Sequence, residues 1–247
     1  MSEPVAEAVI LLAGSGSRLR EAGENRLKPM LPFLGRPLIS HTLAALTDAG
    51  IKTIYAVIGF EGRALRTSVE PLVSSKLNVR WLENREWQKQ NGISVLAAAP
   101  HVTGPFLLVM GDHLFEPSTL RRLRHAPINL GESVLAVDRR PAPAAVVAEA
   151  TKVQLDGGYV RAIGKTLTRH DALDTGLFVC DPSLFAALEE SVNEGDTTLT
   201  GGIRRLAARG VMRAIDLVDT PWFDIDTLED LEAAESTLQT GEQAEVA

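Results

Sequence analysis

Cysteine is nearly absent. Cys180, inside the apolar run GLFVC, is the single one in 247 residues. One cysteine closes no intrachain disulfide and builds no zinc cluster. It reads as a small buried residue rather than a nucleophile. Long apolar runs are missing too: nothing approaches the ~20 residues that span a bilayer. The opening stretch MSEPVAEAVILLAG lacks a basic region and a small-residue cleavage site, so no signal peptide is expected. Basic charge is in deficit, with 25 Lys and Arg against 32 Asp and Glu and a net charge of -7. That argues against a whole-molecule attraction to nucleic acid. It leaves room for one nucleotide, which local cations, backbone amides and a metal can hold. No repeat, low-complexity segment or linker interrupts the chain. These features point to a cytoplasmic globular protein without membrane insertion.

What is present is an alternation of strands and helices. Residues 8–14, 53–59, 78–84 and 105–112 read as strands. Between them, 38–50, 62–73 and the stretch from 92 read as helices, and 117–126 follows as another. This spacing implies an α/β fold with a mostly parallel, mixed sheet and right-handed crossovers. The second half adds a strand over 133–140, a hairpin turning at Asp156-Gly157-Gly158, a strand over 174–181, two helices and a late strand over 211–217. An acidic helix begins at Thr227, and residues 236–247 are expected as a flexible tail. A single domain over 1–247 is expected, with one half over 1–132 and a second, smaller half over 133–235.

In open parallel sheets, ligands bind beyond the carboxyl ends of the strands. Gly14, Asn84 and Asp112 all sit at such ends. The loop after the first strand, Gly14-Ser15-Gly16-Ser17-Arg18, suits phosphate: glycines admit close approach, successive amides cradle an anion, and Arg18 and Lys28 add charge. It has neither Walker spacing nor the third glycine of the dinucleotide fingerprint, so an ordinary turn stays open at this point. Asp112 ends a buried apolar strand, where an acid calls for a partner or a hard cation such as Mg²⁺. A helix-capping role is the alternative. In WFDIDTLEDL, Asp224 and Asp226 share a side if the segment is extended, and a cation between them would relieve their repulsion. Asp226 or Thr227 also suits a helix N-cap. His41, His101, His125 and His170 lack metal-ligand spacing, and RRLRHA reads as a solvated helix face.

In order, LLAGSGSRL, LKPMLPFLGRPLI, MGDH and WFDIDTLEDL resemble the sugar-nucleotide pyrophosphorylase and cytidylyltransferase superfamily. The CTP:inositol-1-phosphate cytidylyltransferase branch is the most similar, through ENREWQKQNGISVLAA, VDRRP, EATKVQLDGGYVRAIGK and DTGLFVCDPSLFAALEE. The resemblance implies a Rossmann-like nucleotidyltransferase (GT-A-like) fold. It also implies joining of CTP to a phosphorylated alcohol, inositol-1-phosphate foremost, with release of pyrophosphate. On this reading Arg18 and Lys28 are catalytic. Leu12, Ala13, Gly14, Ser15, Gly16, Ser17, Asn91, Gly92, Ser94 and Gly111 bind the nucleotide. His113, Glu149, Lys165, Asp174, Thr175 and Gly176 bind the acceptor, with Lys165 receiving its phosphate. Asp112, Asp224 and Asp226 hold Mg²⁺. The resemblance leaves other substrates open: sugar-1-phosphates with UTP or dTTP, phosphocholine, or a molybdopterin-type cofactor. A nucleotide-binding regulator without chemistry is the rival of another class. Leu12 departs from the usual leucine-alanine-alanine-glycine pattern, which raises a question about nucleotide preference. A CDP-alcohol-using enzyme is the implied downstream partner; the oligomeric state is left open.

Overall fold

The computed structural model describes residues 3–218 and 220–245. The chain opens with β1 (Glu7–Leu12), a short α1 (Ser17–Glu21), a 3₁₀ turn at Lys28–Met30 and a small ribbon of β2 (Pro32–Phe33) and β3 (Arg36–Pro37). Then come α2 (Leu38–Ala49), β4 (Thr53–Ile58), α3 (Gly62–Val69), β5 (Asn78–Glu83), α4 (Asn91–Leu96), β6 (Phe106–Met110), β7 (His113–Phe115) and α5 (Pro117–Arg124). The second half holds β8 (Ser133–Asp138), α6 (Ala144–Glu149), β9 (Lys152–Asp156), β10 (Tyr159–Gly164), β11 (Ala172–Cys180), α7 (Ser183–Asn193), α8 (Leu199–Ala208), β12 (Met212–Asp216), β13 (Trp222–Asp224) and α9 (Leu228–Glu245).

One nine-stranded sheet runs through both halves in the order β5-β4-β1-β6-β11-β8-β12-β10-β9. β5, β4, β1 and β6 are parallel, as are β8 and β12. β11 runs against β6, β8 and β9, and β10 runs against β12 and β9, so only these two strands oppose the rest. The sheet is therefore mixed, and its parallel majority comes from the βα units the alternation predicts. Apolar strands bury both faces. α2, α3 and α5 cover one core, with Ile39, Leu46, Leu65 and Leu120; α4, α7 and α8 cover the other, with Val95, Leu184 and Ile203. Cys180 is fully buried in the second core.

α2 ends where the sequence places it, at Gly50, whose φ of 87° permits the left-handed C-cap. α4 is shorter than the pattern suggests: it stops at Leu96, and turns lead to Pro100. α9 continues through Glu245, so the chain is helical well into the expected tail; residues 246 and 247 lie outside the described residues.

The elements missed by periodicity are short and decide the site. β7 and β13 form a two-stranded ribbon, with His113 opposite Asp224 and Leu114 opposite Phe223. Ile225 is fully buried in a third core with Leu19, Leu38 and Leu114. Burying one isoleucine contributes about 1.5–3 kcal/mol. That anchor turns the acids on either side of it outward. Thr227 starts α9 in a reciprocal cap: Asp230 N donates to Thr227 Oγ1 at 3.1 Å, and Thr227 N donates to Asp230 Oδ2 at 2.8 Å. Thr227 is thus the cap, and Asp226 is free for other work. Asp230→Ala is expected to lower stability by about 1 kcal/mol in a urea melt.

Candidate active site

Lys28 stands at the centre. Its Nζ donates to Asp112 Oδ2 and to Asp226 Oδ1, each at 2.7 Å. Three separate pieces of chain meet in this contact: the 3₁₀ turn after α1, the end of β6, and the entry to α9. Asp226 also accepts from Arg18 on α1. Burial disfavours the Lys28 ammonium, but Asp112 and Asp226 outweigh it and hold its pKa above the usual value. The same contact works in reverse on Asp112: burial pushes its carboxyl up, and Lys28 with His113 pulls it below the usual range.

The loop after β1 runs beside Lys28. Among the described residues, the amides of Gly14, Ser15 and Gly16 donate to no protein acceptor. Gly16 has φ of 64°, and a Cβ there would lie 3.2 Å from Lys28 Cβ. The glycine lets the loop pass close over the lysine.

His113 follows Asp112 and lies inside the site. Its Nδ1 donates to Thr175 O at 2.8 Å, and its Nε2 lies 3.2 Å from Asp224 Oδ1. Burial opposes a charged ring, but Asp224, Asp112 and the Thr175 carbonyl prevail and raise the pKa to about 9. Gly176 makes room for the ring: a Cβ there would sit 2.5 Å from it, and the φ of 72° is a second reason for glycine. Asp112, His113 and Asp224 offer ligand atoms all within 4.8 Å of one another. Both ring nitrogens of His113 are engaged as donors, so the two carboxylates are the oxygen donors suited to a hard cation. Asp226 lies outside this group of three and is held by Lys28 and Arg18.

Several expected binding residues also make contacts within the protein. Thr175 is fully buried: its hydroxyl donates to Ala136 O at 2.8 Å, and its backbone carbonyl accepts from His113 Nδ1 at 2.8 Å. Ser94 Oγ accepts from buried Asn84 Nδ2 at 2.9 Å. Asn91 Oδ1 accepts from Leu199 N at 2.9 Å, and a Cβ on Gly92 would lie 2.6 Å from Thr197 O. Asn91 and Gly92 dock α4 on the start of α8, which is a packing reason for the Asn-Gly pair. Leu12, the departure from pattern, is 5% exposed and packs in the core. Its side chain covers Gly111, where a Cβ would come within 2.4 Å of Leu12 Cδ2. Its bulk is thus absorbed by the core. Ala13 is likewise buried. Glu149 lies 3.7 Å from Arg18, on the side of the phosphate loop. Lys165 is exposed at the end of the hairpin.

Asp174 accepts from Gly176 N at 2.8 Å. Burial raises its carboxyl to about 6, against the pull of Gly176 and His113. Between its ordinary value of 3.8 and about 6, the folded chain binds more protons there than the unfolded chain. Stability then falls as pH rises through that window. Asp174→Asn is expected to raise Tm at pH 7.5 and to change it little at pH 3.5, as read by scanning fluorimetry.

Two positioning residues escaped the sequence reading. Trp222 Nε1 donates to Asp138 Oδ2 at 2.9 Å, which ties the ribbon carrying Asp224 to the end of β8. Asp138 is an acid at a strand end, the same signal that marks Asp112.

A family model for MobA-like NTP transferase domains matches residues 8–210. The chain belongs to that family. Bifunctional IPC transferase and DIPP synthase of Rubrobacter xylanophilus is 38% identical over 231 residues, 92% of this chain and 51% of that protein. The protein of the same name from Aquifex aeolicus is 32% identical over 237 residues, 95% of this chain and 52% of that one. The chain thus spans about half the length of these curated relatives. The solved inositol-1-phosphate CTP transferase from T. maritima superposes with a TM-score of 0.81 at 24% identity, covering 93% of each chain, and shares the fold. Among the described residues, no helix of this NTP transferase is long and apolar enough to cross a membrane.

Proposed function

We propose that this NTP transferase moves a cytidylyl group from CTP to inositol-1-phosphate, giving CDP-inositol and pyrophosphate. The observation that carries the reaction is Lys28 held between Asp112 and Asp226, beside Arg18 and below a loop of unbonded amides. The choice of CTP and inositol-1-phosphate rests on the relatives named for IPC transfer and on the motifs of that branch.

A phosphate oxygen of the acceptor attacks the α-phosphorus of CTP in line. The bond to the β-phosphate breaks and pyrophosphate leaves. The acceptor phosphate is already ionised near pH 7, so no general base is needed. Both substrates are anions, and catalysis is alignment and neutralisation. The amides of Gly14 to Ser17 and Arg18 hold the β- and γ-phosphates. Lys28 exchanges its carboxylates for the α-phosphate, where charge grows. Asp174 hydrogen-bonds hydroxyls of the polyol, with Glu149 and Lys165 at the rim. Asp112 and Asp224, with Asp226, would hold Mg²⁺, which supplies further charge neutralisation on the triphosphate. The need for CTP fits a cytoplasmic location, and the product suits an enzyme that displaces CMP from a CDP-alcohol.

The test is pyrophosphate release with CTP, UTP, dTTP and GTP, each against inositol-1-phosphate, phosphocholine and glucose-1-phosphate. CTP with inositol-1-phosphate is expected to be the fastest pair. Turnover restricted to glucose-1-phosphate with UTP or dTTP would move the protein to sugar activation. Tight CTP binding without any product would make it a regulator.

A further inference from the structure

One face of α2 is built small. His41, Ala44, Ala45 and Asp48 recur at i, i+3, i+4 and i+7, so they share that face. The two alanines at its middle leave room that longer side chains would fill. The room is a cavity of about 250 Å³ between α2, the Phe33 ring of β2, Leu238 of α9 and the β7–β13 ribbon, which adds Leu114 and Phe223. An apolar cavity of about 150 Å³ takes up benzene, so this one admits an aromatic ring with a short substituent.

The polar groups of this cavity all call for a donor. Asp48 and Glu116 stand exposed at its edge, and among the described residues neither side chain has a hydrogen-bond or ion-pair partner. Asp48 lies in the last turn of α2, where the helix dipole disfavours an anion and favours a cation. Arg124 donates to Ala49 O at 2.5 Å beside it, but among the described residues the two form no ion pair. His41 Nε2 donates to Phe33 O at 2.9 Å, which leaves Nδ1 of the neutral ring an acceptor. Two carboxylates and an acceptor nitrogen around an apolar cavity match an ammonium group on an apolar body. An anionic ligand would be repelled.

The cavity lies one ribbon rung from the candidate active site. Leu114 pairs with Phe223, and the next rung is His113 with Asp224. Successive residues of a strand point to opposite faces. The first pair faces the cavity, and the second meets Asp112. Trp222, one residue further along β13, stacks on Phe115, which also lines the cavity. We infer that this cavity is an effector site for a small arylalkyl ammonium ion, read by the ribbon that carries His113 and Asp224. Its walls include neither Lys28 nor Asp112, so it is distinct from the place where the two substrates meet. A ring seated against Leu114 and Phe223 binds the packed arrangement of the ribbon and shifts the population toward it. The binding stands apart from the transfer reaction proposed above; only its effect on turnover rests on that reaction.

The experiment titrates the full chain with 2-phenylethylammonium, 2-phenylethanol and phenylacetate. Binding is followed by NMR on the indole N–H signals of Trp81, Trp87 and Trp222, the last assigned from Trp222→Phe. The ammonium is expected to bind with a Kd below about 1 mM, within reach of a ligand of this size. It should shift the Trp222 signal more than the other two. The alcohol should bind at least about threefold more weakly, and phenylacetate more weakly still. Asp48→Asn should weaken the ammonium about 2- to 5-fold, the size of an exposed ion pair. Ala44→Phe fills the cavity, so it should weaken binding more than about 10-fold while Tm holds or rises. Ala44→Leu, a smaller filling, should do the same in part. Saturating ammonium should raise the rate of pyrophosphate release from CTP and inositol-1-phosphate about fivefold. Equal binding of all three ligands, or binding undiminished in both Ala44 variants, would overturn the site. Binding that leaves the rate of an active protein unchanged would overturn the effector role. A protein inactive with every triphosphate and phosphorylated alcohol would remove the transfer reaction alone, and the Kd values and the Trp222 signal would then decide the site by themselves.

Discussion

Lys28→Ala should lower kcat for pyrophosphate release by about 10²- to 10³-fold, the usual loss when one preorganised charge at a developing anion is removed. Lys28 is the contact through which three distant segments meet, with Asp112 and Asp226 each 2.7 Å from its Nζ. Without it the two carboxylates face each other with no cation between them. The variant should therefore also melt lower than the wild type. Both acids are about one-third exposed, which screens their repulsion and keeps the loss to a few degrees. The difference should shrink as pH falls through the lowered range of the Asp112 carboxyl, where that group takes up its proton. Lys28→Arg separates the two effects. It restores the charge between the carboxylates, so Tm should recover, but a planar fork does not bring a compact point charge to the α-phosphate, and kcat should stay low. A Lys28→Ala protein with wild-type kcat would remove this residue from the chemistry.

What could be read from the chain without coordinates was whatever depends on neighbours in sequence. Gly50 ends α2 because a glycine after an apolar helical face supplies the left-handed cap. Asp112 could be found because an acid that ends a strand as apolar as FLLVM must have a partner. Asp224 and Asp226 flank the buried Ile225, as alternation in an extended chain suggests, but Asp224 meets His113 while Asp226 is taken by Lys28 and Arg18. What neighbours in sequence do not announce is contacts with partners far along the chain. Nothing near Thr175 announces that its hydroxyl will bond Ala136, or that Ser94 will be taken by Asn84. Asn91-Gly92 looks like a turn or a ligand contact until α8 is seen packed against it.

Asp112→Asn is the sharper probe of the metal assignment because its shape is conserved and its charge is not. The backbone contact that ties Asp112 to the α9 entry, Ile225 N to Asp112 O at 3.0 Å, does not involve the side chain. The ribbon of β7 and β13 should therefore persist, and the asparagine carbonyl can still accept from Lys28. What disappears is one anionic oxygen donor from the pair Asp112 and Asp224. A hard divalent cation gains most of its affinity from such donors. The Mg²⁺ concentration giving half-maximal rate should rise at least about 10-fold, and kcat at saturating Mg²⁺ should fall about 10²-fold or more. The Mg²⁺ titration is the deciding measurement, since a residue that merely anchored Lys28 would lower kcat at every Mg²⁺ concentration without moving the midpoint. A midpoint unchanged in Asp112→Asn but shifted in Asp224→Asn would take Asp112 out of the metal site and leave the carboxylates of the α9 entry to hold the ion.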